Sequence, residues 1–251
     1  MTSTPVGINP RIRDRLIEVR RQAGRRRLRV LLVVSSVVSA AGLAFLAVTS
    51  PVLDIDHIRV AGTEHMTAAQ VRDAAGVHVH DHLLFVDAGA VARRIEKLPW
   101  VERASVKRDL PGTLQITIGE YTPAAYVRVA GGVVLVAANG HVIASAAAAP
   151  PHTVEVRGVR RPPDAGGLLA PPDAAGVVTR LPRALGEQVV AVDVGGNGLA
   201  LDLARGGQIR LGNTSDLDAK AASAQAVLAH IGLAHFTYID VSTPARPVSH
   251  A

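Results

Sequence analysis

Nineteen consecutive residues, Val30 to Val48 (VLLVVSSVVSAAGLAFLAV), carry no charge, no proline and one glycine. As a helix rising 1.5 Å per residue, such a run spans roughly 28 Å, about the thickness of a bilayer's hydrocarbon core. It divides the chain into a basic head and a nearly neutral body. Residues 1–29 hold nine arginines against Asp14 and Glu18, which leaves eighteen basic and nineteen acidic residues for 51–251. The body therefore lacks the basic field of a nucleic-acid binder. Arg25, Arg26, Arg27 and Arg29 precede the apolar run, and Asp54 and Asp56 follow it. That asymmetry predicts a membrane helix over 30–49, a cytoplasmic tail over 1–29 and an extracytoplasmic body. A cleaved signal peptide has a shorter apolar core and an A-x-A-like site. The length of this run and Thr49-Ser50-Pro51 behind it favour a retained anchor. Ser36, Ala40 and Ala44 lie four apart, a small-residue face on which a second membrane helix can pack closely.

The body has no cysteine, so its stability must come from aliphatic cores without disulfides. Its first stretch, 53–121, reads as β-α-α-β-β. Ile55–Val60 is a strand with Ala61-Gly62-Thr63 as its turn. Thr67 and Gln70 form a capping box for a helix that ends at Gly76. Asp87 caps a second helix with Val91, Ile95 and Leu98 on one face and Pro99 as its stop. Val101–Arg108 alternates, and Thr113–Glu120 does so strictly, burying Leu114, Ile116 and Ile118.

The remainder, 122–251, reads as a β-rich domain with one late helix. A hairpin turns at Asn139-Gly140. Residues 146–172 include loop and linker, with Val154–Val156 as a strand between the run 146–151 and the exposed, Pro- and Gly-rich RRPPDAGGLLAPP. Asp173 caps a short helix interrupted at Pro182. Val189–Val194 and Leu199–Leu203 flank the glycine turn Gly195-Gly196-Asn197-Gly198, and Gln208–Leu211 follows. A helix starting at Ser215 or Asp216 carries Leu217, Ala221, Ala224, Leu228 and Ile231, with Gly232 closing it. Phe236–Val241 is the last strand, followed by Pro244 and Pro247. The fold class is α+β: one membrane helix, a β-α-α-β-β unit, then the β-rich domain.

Searches for chemistry return little. His78, His80 and His82 would share a face in an extended segment and could bind a metal, but an exposed loop explains them as well. The four-residue glycine turn lacks phosphate-loop spacing and leads into a strand where a helix should open. No nucleophile motif is present. The sequence thus predicts no catalytic residue, no cofactor and no resident metal. Trp100 is expected to seal the helix-to-strand corner of the first unit.

The run Leu98-Pro99-Trp100-Val101-Glu102-Arg103-Ala104-Ser105-Val106-Lys107-Arg108 recurs with Pro111, Leu114, Ile116, Glu120-Tyr121 and Pro123. With Val60, Gly62, Leu84, Asp87 and Ile95 upstream, it closely resembles the POTRA domain of the bacterial division family FtsQ, also called DivIB. The resemblance extends over the basic tail, the single anchor, Lys220 in the late helix and the closing Tyr238-Ile239-Asp240-Val241 with two prolines. An Ala- and Arg-rich, Lys-poor composition points to a GC-rich genome of the actinobacterial kind.

This resemblance implies a non-enzymatic, single-pass protein of the division septum. Its implied partners are FtsB and FtsL and, indirectly, the septal peptidoglycan synthase FtsW–FtsI; no nucleic acid or small-molecule substrate is implied. It also implies a recruitment strand holding Arg103, Val106 and Arg108. β-Augmentation at an open sheet edge is the physical mode expected for partner binding. The edge expected is Tyr238, Asp240 and Val241, with Arg246 and Val248 beyond. Two alternatives remain open on sequence: a POTRA-bearing chaperone for transported clients, and an anchored metal binder using the three histidines.

Overall fold

In the computed structural model, the described residues are 28–43, 45–46, 53–231 and 236–250. Residues 28–43 form helix α1, and 45–46 are helical as well. Its leucines and valines are exposed along its whole length, Leu31 at 64 % and Val38 at 64 % among them. Among the described residues no helix is long and apolar enough to cross a membrane. The expected span of 30–49 lies partly outside the described residues, as does Ala44.

The first unit follows its local signals closely. It runs β1 (His57–Ala61), α2 (Ala68–Ala75), a single 3-10 turn Leu83–Phe85, α3 (Ala88–Ile95), β2 (Val101–Asp109) and β3 (Thr113–Glu120). The sheet order is β1-β3-β2, with β1 parallel and β2 antiparallel to the central β3. The Thr67 hydroxyl accepts the Gln70 N–H, and the Gln70 amide oxygen accepts the Thr67 N–H at 2.8 Å, which completes the capping box. Gly76 ends α2 in the left-handed region, and Asp87 caps α3 through the Ala90 N–H. Val71, Ala75, Val91 and Ile95 close over Leu114, Ile116 and Ile118. Gly62 sits at φ +84°, and a Cβ there would run into the Ile118 carbonyl, so the turn after β1 requires glycine.

Two details depart from expectation. Helix α3 ends at Ile95, and Leu98 packs from the turn beyond it. The alternation of β2 is broken by a register shift between Val101 and Arg103, so Val101 and Ala104, three residues apart, are both buried.

The second sheet has nine strands: β4 (Pro123–Val129), β5 (Gly132–Ala137), β6 (Val142–Ala146), β7 (Val154–Arg157), β8 (Val189–Gly195), β9 (Gly198–Leu203), β10 (Gln208–Gly212), β11 (Tyr238–Asp240) and β12 (Val248–His250). Their spatial order is β12-β11-β10-β9-β8-β7-β4-β5-β6. One face packs on α4 (Asp173–Gly176), α5 (Arg183–Gly186) and α6 (Leu217–Ile231), with Ala175, Leu185, Ala221 and Ala224 meeting Val127, Leu201, Ile209 and Ile239. Asp173 does not cap α4. Pro172 holds the cap position, and the Asp173 carboxylate accepts the Thr214 hydroxyl at 2.6 Å. The loop expected over 160–172 is mostly exposed, yet it is not free. Gly166, Val142 and Leu169 donate N–H bonds that lace it to β6 and its preceding turn, and Leu169 is buried. An edge strand left open presents unpaired peptide groups, and this loop takes up those of Val142 at the start of β6. Gly232 lies outside the described residues.

Trp100 does not seal the first unit's own corner. It packs on a separate apolar patch, Val133, Leu135, Ala137 and Ile143, which joins the two sheets. His65 stacks on it with ring centroids 4.1 Å apart, and His141 approaches the Pro99 carbonyl at 2.9 Å while stacking on Tyr121. Four apolar side chains on β5 and β6 face away from the main core and need cover, which the indole supplies.

Glu120 locks the same joint. Its carboxylate, 8 % exposed, accepts the N–H groups of Glu64, His65 and Met66 and lies 2.9 Å from His65 Nδ1. Burial opposes its ionisation, but the His65 bonds and the Glu64 and Met66 amides outweigh burial and hold its carboxyl below the ordinary value. A depressed folded-state pKa stabilises the fold above the unfolded value, 4.5, and that contribution is lost as pH falls through the lower folded value. Glu120→Ala should therefore cost about 1–3 kcal/mol in urea unfolding at pH 7. The deficit relative to the parent should shrink as pH falls below about 4.5. A pH-independent deficit would refute the assignment.

Candidate partner-binding site

The C-terminal edge of the large sheet is built by a reversal of direction. β11 lies parallel to β10, with Ile239 opposite Ile209, and β12 then returns antiparallel to β11. The turn between them is tied down by its own polar groups. Asp240 accepts the Ser242 N–H and hydroxyl, Arg246 N–H donates to the Thr243 carbonyl, and Ser223 of α6 donates to the Pro244 carbonyl. The edge of the sheet is therefore β12. The expected edge is Tyr238–Val241 with 246–249 beyond; its first part is covered because the chain folds its own last residues onto it.

The hydrogen-bond pattern says which groups remain open. Gln208 N–H donates to the Thr237 carbonyl and Val241 N–H to the Arg210 carbonyl, which leaves Ile239 between them turned to β10, while the Thr237 N–H itself donates to the His250 carbonyl. Tyr238 and Asp240 turn theirs to His250 and Val248. Ser249, between those two, directs its N–H and C=O away from the sheet. All three residues of β12 are exposed.

Side chains divide by face. Ile239 and Val241 are fully buried, so Val241 belongs to the core and not to a contact surface. Tyr238 and Asp240 are half-buried on the opposite face, and Arg246 and Val248 are exposed. The Arg210 guanidinium lies 3.8 Å from the Tyr238 ring centroid, and that ring stacks on His250.

A polar ladder leads away from this edge across the same sheet. Gln208 donates to Asp202, Arg157 bridges Asp202 and Glu155 at 2.9 and 3.2 Å, and Arg128 completes the chain at Glu155. Burial works against the Glu155 charge, but Arg128 and Arg157 outweigh it and keep its carboxyl below the ordinary range. Burial first, then the Asp202 charge, pushes Asp193 the other way. Sequence reading missed this ladder, although Glu155/Arg157 and Gln208/Arg210 stand at the two-residue spacing that marks one strand face.

In the first unit, β2 is an edge strand. Arg103 is exposed there. Val106 packs against the core, and the Arg108 guanidinium donates to the Leu84 carbonyl at 2.9 Å. Of this predicted trio, Arg103 is the side chain left to solvent without a structural bond to its own unit in view.

The histidine loop does not take the extended form that a shared ligand face would need. His80 sits at φ +73°, and His78 and His82 turn to different carboxylates. His82 Nδ1 is 2.7 Å from Asp54 Oδ1, close enough for an ion pair but off the angle of a hydrogen bond. Among the described residues, no group of three His, Cys, Asp or Glu side chains is placed to hold a metal ion.

Comparison with known proteins decides the lineage. The FtsQ-type POTRA domain model matches residues 53–121, and the C-terminal model of cell division protein FtsQ/DivIB matches 125–242. Cell division protein FtsQ of Streptomyces collinus is 34 % identical over 91 % of this chain and 90 % of its own length. The chain belongs to the FtsQ family of cell division proteins. FtsQ of Streptomyces bingchenggensis is 29 % identical over 93 % of the chain, and FtsQ of Corynebacterium glutamicum is 34 % identical over 49 %. The FtsQ resemblance also drew attention to Lys220. It is 2 % exposed, and its Nζ donates to the Leu211 carbonyl, the Asn213 carbonyl and the Asn213 side chain. That places it behind β10, the strand on which the C-terminal edge is templated. Ser36 and Ala40 are exposed on α1.

Proposed function

We propose that this FtsQ-family chain is a non-enzymatic scaffold of the divisome, held in the cell membrane by 30–49 with 1–29 in the cytoplasm. On this reading 53–121 is a POTRA domain and 122–251 the partner-binding domain, both outside the membrane at the septum. The chain captures FtsB- and FtsL-type partners and through them influences septal peptidoglycan synthesis by FtsW–FtsI. The observation that carries the reading is the open outer edge of β12, three exposed residues at the end of a nine-stranded sheet. A partner strand added there gains backbone bonds at Ser249, with Tyr238, Asp240, Arg246 and Val248 selecting its side chains. Pro247 just before β12 cannot donate to a ladder, so it limits how far an added strand can extend. Arg103, with Val106 and Arg108 on the same strand, forms the recruitment surface, and Ser36, Ala40 and Ala44 offer a face for a second membrane helix.

The anchor is supported by an uncharged run of nineteen residues and by a helix that exposes apolar side chains along its length. A fluorescent fusion of the full chain should form a band at midcell in dividing cells. A uniform membrane signal, with division proceeding, would defeat the scaffold reading.

A further inference from the structure

The end of the POTRA unit where the chain arrives from residue 52 carries two exposed large apolar side chains, Phe85 at 72 % and Leu110 at 59 %. Three segments meet there through backbone bonds. Ile55 N–H donates to the Asp81 carbonyl, Asp56 and His57 N–H both donate to the Gly112 carbonyl, and Asp54 bridges to His82. Arg108 then ties the end of β2 to Leu84. The 3-10 turn Leu83–Phe85 and the β2–β3 turn at Leu110 thus flank the first residues of the domain. The Phe85 ring stands at nearly a right angle to the His82 ring, with centroids 5.9 Å apart.

Chain length decides what this end faces. Four residues separate Val48 from Leu53, so even a fully extended link places Leu53 within about 18 Å of the end of the apolar run. We propose that Phe85 and Leu110 insert into the bilayer interface and seat the POTRA domain against the membrane. This rests on the anchor reading above. Amphipathic surfaces gain by placing apolar side chains at the headgroup boundary while their polar neighbours stay wet. The charges at this end are of both signs, with Asp54, Asp56, Asp81, Asp87 and Asp109 beside Arg93 and Arg108. A surface of both signs, richer in acids, fits zwitterionic headgroups and not a densely anionic sheet.

The absence of cysteine makes the test direct. Full-length Phe85→Cys, Leu110→Cys, Val38→Cys and Asn197→Cys would each be labelled with an environment-sensitive fluorophore in phosphatidylcholine vesicles containing spin-labelled lipid. Positions 85 and 110 are exposed, so the substitutions leave the core intact. The proposal expects blue-shifted emission at 85 and 110 with strongest quenching by shallow labels, deep quenching at 38, and a water-like signal at 197. Water-like emission at 85 and 110 with a buried probe at 38 overturns the proposal alone and leaves these side chains in solvent. A water-like probe at 38 overturns the anchor and this proposal with it.

Discussion

Ser249→Pro is expected to weaken capture of the FtsB-type segment about 5- to 150-fold while leaving the thermal midpoint nearly unchanged. The substitution removes one N–H donor, and that donor points out of the sheet. Its neighbours Val248 and His250 keep their pairing with Asp240 and Tyr238. Proline is tolerated on an edge strand when its missing donor faced solvent. An added partner strand would then meet an acceptor without a donor, a loss of about 1–3 kcal/mol, and 1.4 kcal/mol is tenfold in affinity. Val248→Pro is the contrasting control, because it breaks the β11–β12 ladder itself and should lower both stability and capture. Deleting Pro244–Ala251 should abolish capture, since it removes the edge and leaves the Ser223 hydroxyl without the Pro244 carbonyl. Co-purification of the partner with each variant reads the outcome. Undiminished recovery with Ser249→Pro would place the contact elsewhere on the domain.

The contrast between what was legible in the chain and what was not follows the range of the interactions. The Thr67–Gln70 box, the Asp87 cap and the left-handed Gly76 are decided within four residues, so their side-chain chemistry announces them. The β8–β9 hairpin is equally local. Trp100 was misplaced because a register shift between Val101 and Arg103 changes which side of β2 faces the helices, and nothing in the local pattern marks that shift. The pairing of β12 on β11 depends on a turn held by Ser223 from a distant helix, so Tyr238–Val241 looked like an open edge in sequence. The ladder from Arg128 to Arg210 draws on four strands whose neighbours are fixed by topology, and β7 lying between β4 and β8 cannot be read from chain order. For the C-terminal edge, the sequence pattern showed a last strand at Tyr238–Val241 but not that 248–250 pair on it.

Stability of that edge depends on a cation with no exposed surface to speak of. Lys220→Met is expected to destabilise the β domain by about 3 kcal/mol, a fall in midpoint of about 6–12 °C for a unit of this size. Replacing a whole buried ion pair by apolar groups is often neutral, because both desolvation costs vanish together. Here only the donor would go. The buried Leu211 carbonyl would stay in place without the ammonium, as would the two acceptors of the exposed Asn213, and an orphaned buried acceptor carries the full desolvation cost. These acceptors sit at the end of β10 and just past it, so losing the ammonium frees the strand that aligns Arg210 under Tyr238. Partner capture should fall along with stability, whereas the POTRA sheet, with its own core, should unfold as before. Urea unfolding monitored by hydrogen exchange separates the two units. A loss below about 0.5 kcal/mol, the scatter of an ordinary surface change, would show that water replaces the ammonium and that Lys220 does not hold the edge.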